Sequence, residues 1–164
     1  MKVLITLYFT IILFSQAFAQ EDMSNSIESD KIEYLNDSGE IKALGSVKIT
    51  RENFQLEADE ISFNQNNDII KGIGNIIIKE RDGSTILASK FSLSSDLNDG
   101  VIEMPTLLTK EGTKISSAYA IRSGGKSIIL RKGIFSPCNN CEKSKKKPSW
   151  QVKANRIIYD ETNG

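Results

Sequence analysis

The stretch Phe54-Gln-Leu-Glu-Ala-Asp-Glu-Ile-Ser-Phe-Asn64 decides the fold, because its apolar and polar residues alternate. The apolar residues fall at even positions up to Ala58 and at odd positions from Ile61 onward. Alternation of this kind is typical of a β-strand with one buried face. A slip of one residue would turn the later side chains to the wrong face unless the strand bends or bulges. We therefore predict a β-bulge or sharp corner near Asp59.

Two later stretches show the same slip of phase. It occurs between Ile86 and Leu93, centred on Ser89, and again between Trp150 and Tyr159, centred on Asn155. Corners at the same height in successive strands would fold one sheet over on itself. The sequence thus predicts an all-β fold, a folded-over antiparallel sheet of the β-jellyroll or β-taco kind.

An internal repeat supports this prediction. Asp30-Lys-Ile-Glu-Tyr34 returns 29 residues later as Asp59-Glu-Ile-Ser-Phe63, and the apolar positions that follow keep the same offset. Such periodicity is the mark of stacked, similar units. Clusters of Asn, Asp, Ser and Gly separate the strands at 36–39, 64–68, 81–83, 96–100 and 123–125.

The N-terminus has the features of an export signal. Lys2 precedes an apolar run from Val3 to Phe14, and Ala17-Phe18-Ala19 forms a small-residue cleavage site. We expect a signal peptide at 1–19 and a short linker at 20–28; the alternative is an uncleaved membrane anchor. Export would place the chain in an oxidising compartment, where disulfides persist.

Composition argues against several classes of function. Lys and Arg total 21, as do Asp and Glu, so no charge excess points to nucleic acid. The chain has no histidine, which removes the commonest general base and metal ligand. It also lacks a P-loop, a dinucleotide-binding glycine motif and a nucleophile elbow. We therefore expect no enzymatic activity, no cofactor and no metal.

The run Leu56-x-Ala58-Asp59-x-Ile61-x-Phe63-Asn64, followed by Ile70-x-Gly72-x-Gly74-Asn75-x-x-Ile78, resembles the OstA-type repeat of periplasmic lipopolysaccharide-transport proteins. A later segment runs from Gly133 through Cys138 and Cys141 to Pro148-x-Trp150-Gln151-x-x-Ala154-x-Arg156-Ile157. It resembles the segment that joins the periplasmic domain to the β-barrel in the LptD (OstA/Imp) family of lipopolysaccharide-assembly proteins.

The resemblance implies a division of the chain. Residues 29–135 would form the OstA-like repeats, and 136–164 a cysteine-containing loop and last strand that lead to a barrel domain. Ile157, Tyr159 and Gly164 match Ile32, Tyr34 and Gly39 at an offset of 125. We expect the chain to be a fragment that lacks the barrel; a natural stand-alone module is the alternative.

The resemblance also implies a function in lipopolysaccharide transport at the periplasmic face of the outer membrane. The chain would receive lipopolysaccharide from a periplasmic bridge protein and shelter its acyl chains in an apolar trough. A lipoprotein that plugs the barrel would be a further partner. Gly45, Gly72, Gly74 and Ala43 would leave room inside, although a closed, self-packed core remains the alternative. The residues expected to face the lipid are Ile32, Tyr34, Ile41, Val47, Ile49, Phe54, Leu56, Ile61, Phe63, Ile70, Ile76, Ile78, Phe91 and Leu93.

An open folded sheet has unpaired edge strands, which invite strand addition from a partner. The repeat Asp30–Thr50 is the candidate docking edge for the bridge protein, unless Lys42 and Lys48 protect that edge. Cys138 and Cys141 are disulfide candidates, either with each other or, as the resemblance implies, with cysteines of the barrel. The lysines at 143–147 could meet lipid phosphates or simply lie in a solvated loop.

Two other functions stay open at this point. One is the soluble bridge protein of the same pathway, which shares the repeat without the cysteine segment. The other is a structural β-repeat surface protein, whose interior should be closed. A photoreactive group at Phe63 would test for the structural protein, because only an open trough would let it reach lipid. A barrel-coding stretch downstream would reject the bridge protein.

Overall fold

The computed structural model describes residues 25–51, 54–137 and 150–160, and within them every regular element is a β-strand. The all-β prediction is confirmed. The twelve strands are β1 Asn25–Glu28, β2 Lys31–Leu35, β3 Glu40–Arg51, β4 Phe54–Asn64, β5 Ile69–Lys79, β6 Thr85–Ser94, β7 Gly100–Glu103, β8 Thr106–Leu108, β9 Lys114–Ser116, β10 Tyr119–Ser123, β11 Ser127–Ser136 and β12 Val152–Asp160.

All the strands belong to one antiparallel sheet in which neighbours in sequence are mostly neighbours in space. β3, β4, β5 and β6 pair in order along their whole length. β6 then pairs with β7 through one half and with β8 through the other. In the same way β11 pairs with β10 and β9, and β3 pairs with β2 and β1. The short strands are therefore the separated halves of longer ones, interrupted at one common line.

That line is the corner predicted from the slips of phase. The pairing of β3 with β4 shifts register at Gly45–Ser46, opposite Asp59. β5 shifts at Gly74–Asn75 against both of its neighbours, opposite Asp59 and Ser89. The extra residues thus lie on β3 and β5, whereas β4 and β6 turn the corner without one.

The third predicted corner differs from these two. β11 and β12 keep one continuous register past Asn155, so no bulge interrupts this pair. Lys132, opposite Asn155 by that register, instead has a positive φ of 53°. A single left-handed residue can bend a strand without an inserted residue.

The corner divides the sheet into two walls. Wall one contains β2, β7, β10 and the adjoining halves of the long strands; wall two contains β1, β8, β9 and the remaining halves. Their inner faces form one hydrophobic core, which draws side chains from both walls. It contains Ala43, Val47, Phe54, Leu56, Ala58, Ile61, Ile70, Ile76, Ile78, Ile86, Phe91, Leu93, Leu97, Ile102, Leu107, Ile115, Ala120, Ile128 and Leu130.

Two segments differ from the predicted organisation. The expected linker at 20–28 ends in strand β1, where Ile27 lies opposite Ile49 and extends the inner face of wall two. At the other end, β12 pairs with β11 through eight residue pairs and so completes the same sheet. The cysteines, the lysine run and the expected signal peptide lie outside the described residues.

Candidate functional site: an apolar cavity at one end of the folded sheet

The folded sheet is open at its N-terminal end. An apolar cavity of about 290 Å³ lies there between the two walls. An engineered apolar cavity of about 150 Å³ is large enough to bind benzene, so this one has room for a segment of a hydrocarbon chain. Its lining residues are Ile27, Ile32, Ile41, Ala43, Ile49, Arg51, Ile61, Phe63, Ile70, Ser95 and Leu97.

The cavity stays open because the sheet ends there. β1 and β2 pair only with β3 among the described strands, so they form the edge of both walls. Ile27 and Ile32 project from these edge strands and are each 61% exposed. Large apolar side chains left exposed side by side mark a surface that binds an apolar partner or ligand.

Further along the sheet the interior is closed. Leu56, Ile78, Ile102 and Leu130 are completely shielded from solvent, and they come from both walls. Side chains packed in this way fill the interior at close to crystal density. The apolar interior of the described residues is open at one end and self-packed beyond it, and the continuous trough stays a prediction.

The fourteen residues predicted to face lipid fall into three groups. Six line the cavity, namely Ile32, Ile41, Ile49, Ile61, Phe63 and Ile70. Seven are packed within the buried core, namely Val47, Phe54, Leu56, Ile76, Ile78, Phe91 and Leu93. Tyr34 is outside both groups, being 58% exposed on edge strand β2 and not part of the cavity lining.

Sequence reasoning missed two apolar residues of the cavity. Ile27 lies in the segment expected to be a linker, and Leu97 lies in the turn between β6 and β7. Both are isolated apolar residues among polar neighbours, so alternation could not identify them. Leu97 is 7% exposed, which shows that its turn folds inward over the cavity.

The glycines predicted to leave room inside have other roles. A Cβ at Gly72 would collide with the ring of Phe91, which lies directly across the strand pair. The space beside Gly72 is therefore occupied by the Phe91 ring and is not left for lipid. Gly45 and Gly74 have positive φ values of 75° and 76° and lie on the corner, where left-handed backbone is required.

Two polar contacts join the free rims of the two walls. Arg122 on wall one makes a buried, bidentate ion pair with Glu80 at the end of wall two. The Tyr159 hydroxyl on β12 donates to Asp82 Oδ2 at 2.7 Å. These contacts span 42 and 77 residues of sequence, so they hold the two walls together.

The pKa values of both Asp82 and Tyr159 are shifted. Burial acts to raise the pKa of Asp82, but hydrogen bonds from Ser84 and Tyr159 outweigh it and hold that pKa below its ordinary value. Burial, and then the neighbouring carboxylate, raise the pKa of the Tyr159 hydroxyl well above its usual range. Tyr159 is therefore protonated and Asp82 ionised at neutral pH, as their hydrogen bond requires.

The predicted docking edge needs a correction. Within Asp30–Thr50 only β2 lies at the edge, because β3 is paired with β4 on one side and with β1 and β2 on the other. Lys42 and Lys48 lie on β3 and so cannot protect an edge. The exposed N-terminal edge of the sheet consists of β1 and β2.

Among residues 25–51, 54–137 and 150–160, no group of three or more His, Cys, Asp or Glu side chains could hold a metal ion. No helix in the same ranges is long and apolar enough to cross a bilayer. Trp150 stacks on Phe135 with 5.9 Å between the ring centroids, outside the lining of the apolar cavity.

Known proteins resemble this chain in both sequence and fold. The profile of a family described as "LptA/(LptD N-terminal domain) LPS transport protein" matches residues 26–164. LPS-assembly protein LptD of Nitrosococcus oceani is 26% identical over 141 residues, which are 85% of this chain and 18% of that protein.

The fold is also that of a solved structure. It is LptH of Pseudomonas aeruginosa, the LptA homologous periplasmic component of the lipopolysaccharide transport device. The TM-score is 0.51 at 11% sequence identity, covering 59% of this chain and 73% of LptH. This likeness supports the jellyroll-like architecture of the folded sheet.

Proposed function

Since the chain belongs to the family of LptA and LptD N-terminal domain lipopolysaccharide transport proteins, we propose that it holds acyl chains of lipopolysaccharide in its apolar cavity during transport to the outer membrane. The observation that carries this proposal is an apolar cavity of about 290 Å³ that opens at an exposed sheet edge. An interior closed along its whole length would offer no such place.

The energetic reason is the cost of exposing hydrocarbon to water. Burial of one methylene is worth about 0.8 kcal/mol, so a chain of a dozen carbons meets a barrier of roughly 10 kcal/mol in crossing water. A cavity with aliphatic walls on both sides lowers this barrier. The six cavity residues predicted from the sequence, with Ile27 and Leu97, supply those walls.

The exposed edge suggests where the lipid arrives. We infer that a periplasmic bridge protein of the LptA kind adds a strand to β1 and β2, which would place its own interior next to the cavity. Such docking would put the chain on the periplasmic side of the outer membrane. A lipoprotein plug of the assembly complex would be a further partner.

Photocrosslinking tests the proposal. A photoreactive residue at Ile32 or Phe63 should capture lipopolysaccharide added to the purified chain, because both side chains line the cavity. Ile158 is the matched control: it is 57% exposed, close to Ile32 at 61%, but its neighbour Ile157 packs on the core, so Ile158 points outward.

The outcomes separate the candidate functions. Lipid adducts at Ile32 and Phe63 but not at Ile158 would support transport. Equal capture at all three positions would indicate adhesion of lipid to any apolar surface, and no capture would favour a structural β-repeat protein. In the same series, a photoreactive residue at Glu33 on β2 should capture a purified LptA-type protein if the edge is the docking site.

A further inference from the structure

A second cavity, with a polar lining, adjoins the apolar one. It measures about 270 Å³ and lies between the rims of the two walls. Arg51 and Leu97 line both cavities, so the two spaces meet at these residues. The residues around this arginine chamber, as we name it, are Arg51, Phe54, Glu80, Arg81, Asp96, Leu97, Asn98, Arg122 and Gly125.

Three arginines and two carboxylates line the chamber. Glu80 is already neutralised by the guanidinium of Arg122. The carboxylate of Asp96 accepts hydrogen bonds from the Ser94 hydroxyl and from the backbone and side-chain nitrogens of Asn98. Both carboxylates are thus engaged within the protein.

Arg51 lies where the two cavities meet. In the described part of the chain no carboxylate lies within ion-pair distance of its guanidinium. A guanidinium is planar and matches the oxygens of a phosphate or carboxylate with paired N–H donors. Arg51 is therefore placed to receive an anionic group from a ligand whose apolar part lies in the neighbouring cavity.

Arg122 supplies an independent observation. Its side chain is only 6% exposed, and its Nε has no hydrogen-bond partner among the described residues, although both terminal nitrogens are bonded to Glu80. Buried N–H groups are almost always satisfied, so an unpaired one beside a cavity indicates a missing acceptor. An anion in the arginine chamber would provide that acceptor.

We propose that the arginine chamber binds a phosphate group of the lipid whose acyl chain occupies the apolar cavity. Binding of the phosphate would orient the lipid with its charged end toward the β6–β7 and β10–β11 turns. This inference rests on the proposed function, because it takes the ligand to be an acylated, phosphorylated lipid. Free phosphate offers the same oxygens without the apolar anchor and should therefore bind more weakly.

The test compares two lipids and two variants. The purified full chain is titrated with lipid A that carries its phosphates and with the same lipid A after enzymatic dephosphorylation. Arg51→Gln removes the charge at the junction without breaking the buried Glu80–Arg122 pair. Lys48→Gln removes one positive charge from the same strand, but Lys48 lines neither the apolar cavity nor the chamber.

We expect Arg51→Gln to weaken binding of phosphorylated lipid A by about tenfold or more, the typical effect of losing one charged hydrogen bond. Binding of dephosphorylated lipid A should weaken much less, because Arg51 touches its acyl part only at the rim of the apolar cavity, and Lys48→Gln should alter the binding of neither lipid. Equal losses for both lipids, or no loss, would overturn the anion site while leaving lipid binding intact. If the unmodified chain binds neither lipid, the proposed function itself fails.

Inorganic phosphate distinguishes the two sources of the anion. Millimolar phosphate should compete with phosphorylated lipid A in the unmodified chain and should lose this effect in Arg51→Gln. Competition that persists in Arg51→Gln would locate the phosphate elsewhere and overturn the proposal.

Discussion

Two corners of the sheet are each made by an aspartate beside a left-handed glycine. A Cβ at Gly45 would collide with the Asp30 carboxylate, and a Cβ at Gly74 with the Asp59 carboxylate. These two pairs are separated by the 29 residues of the repeat. Asn75, with a φ of 43°, also donates from its side chain to Asp59 Oδ2 at 2.9 Å. The two repeat units therefore share the aspartate–glycine pair that forms the corner as well as the alternation of apolar residues.

Substitution of the corner glycine should be costly. We expect Gly74→Ala to lower the free energy of unfolding by about 1–3 kcal/mol, because it adds a collision with Asp59 to the strain of a positive φ. Gly83→Ala is the control, since Gly83 has a φ of 89° but nothing nearer than 3.8 Å to a new Cβ. Urea unfolding of both variants measures the difference; equal losses would show that the Asp59 contact has no effect.

At the scale of elements, the rims of the two walls are joined by polar contacts instead of further strand pairing. The Glu80–Arg122 pair is fully formed and buried, so removal of one partner leaves the other as an isolated charge. Such an uncompensated charge typically costs about 3–5 kcal/mol, whereas replacement of both partners by apolar residues is often nearly neutral.

A double-mutant cycle tests this description. Glu80→Leu and Arg122→Met should each destabilise the chain strongly in urea unfolding. The double variant Glu80→Leu with Arg122→Met should recover most of the loss, because no charge remains buried. Purely additive losses would mean that the two side chains act independently.

The Asp82–Tyr159 contact should make stability depend on pH at both extremes. The lowered pKa of Asp82 contributes stability above the unfolded value of about 3.9 that is lost as the pH falls through its folded pKa. The raised pKa of Tyr159 contributes stability below about 10 that is lost as the pH rises further.

Tyr159→Phe should remove this contact alone. We expect a loss of about 1 kcal/mol at neutral pH and a flatter dependence of stability on pH below 4 and above 10. Tyr119→Phe, on the outer face of wall one, controls for the loss of a hydroxyl. Urea unfolding from pH 2 to 11 measures both; parallel curves for the two variants would contradict the assigned role of Tyr159.

For the whole molecule, one folded sheet has an open end and a closed end. Ala43 lines the open cavity, while Ala120 is completely buried in the closed core. Ala43→Phe should fill the cavity with a small change in stability and should reduce capture of lipid by a photoreactive residue at Ile32. Ala120→Phe should cost about 1–3 kcal/mol by overpacking and should leave capture unchanged in the folded fraction.

Thermal unfolding and photocrosslinking together check this pair. A large loss of stability in Ala43→Phe would show that its surroundings are as tightly packed as those of Ala120. Capture that persists in a stable Ala43→Phe variant would mean that lipid enters by another route.

Local alternation determined much of this structure from the sequence. The period of two predicted the strands, the slips of phase placed corners near Asp59 and Ser89, and the turn residues separated the strands, because backbone geometry depends on near neighbours. Six cavity residues followed from the same pattern. Three other features did not follow from local alternation. They are the pairing of Glu80 with Arg122, the inward turn at Leu97 and the division of one apolar face into a cavity and a core. Only the tertiary structure decided them, because they depend on which rims meet when the walls fold together, and residues far apart in sequence carry no local sign of that contact.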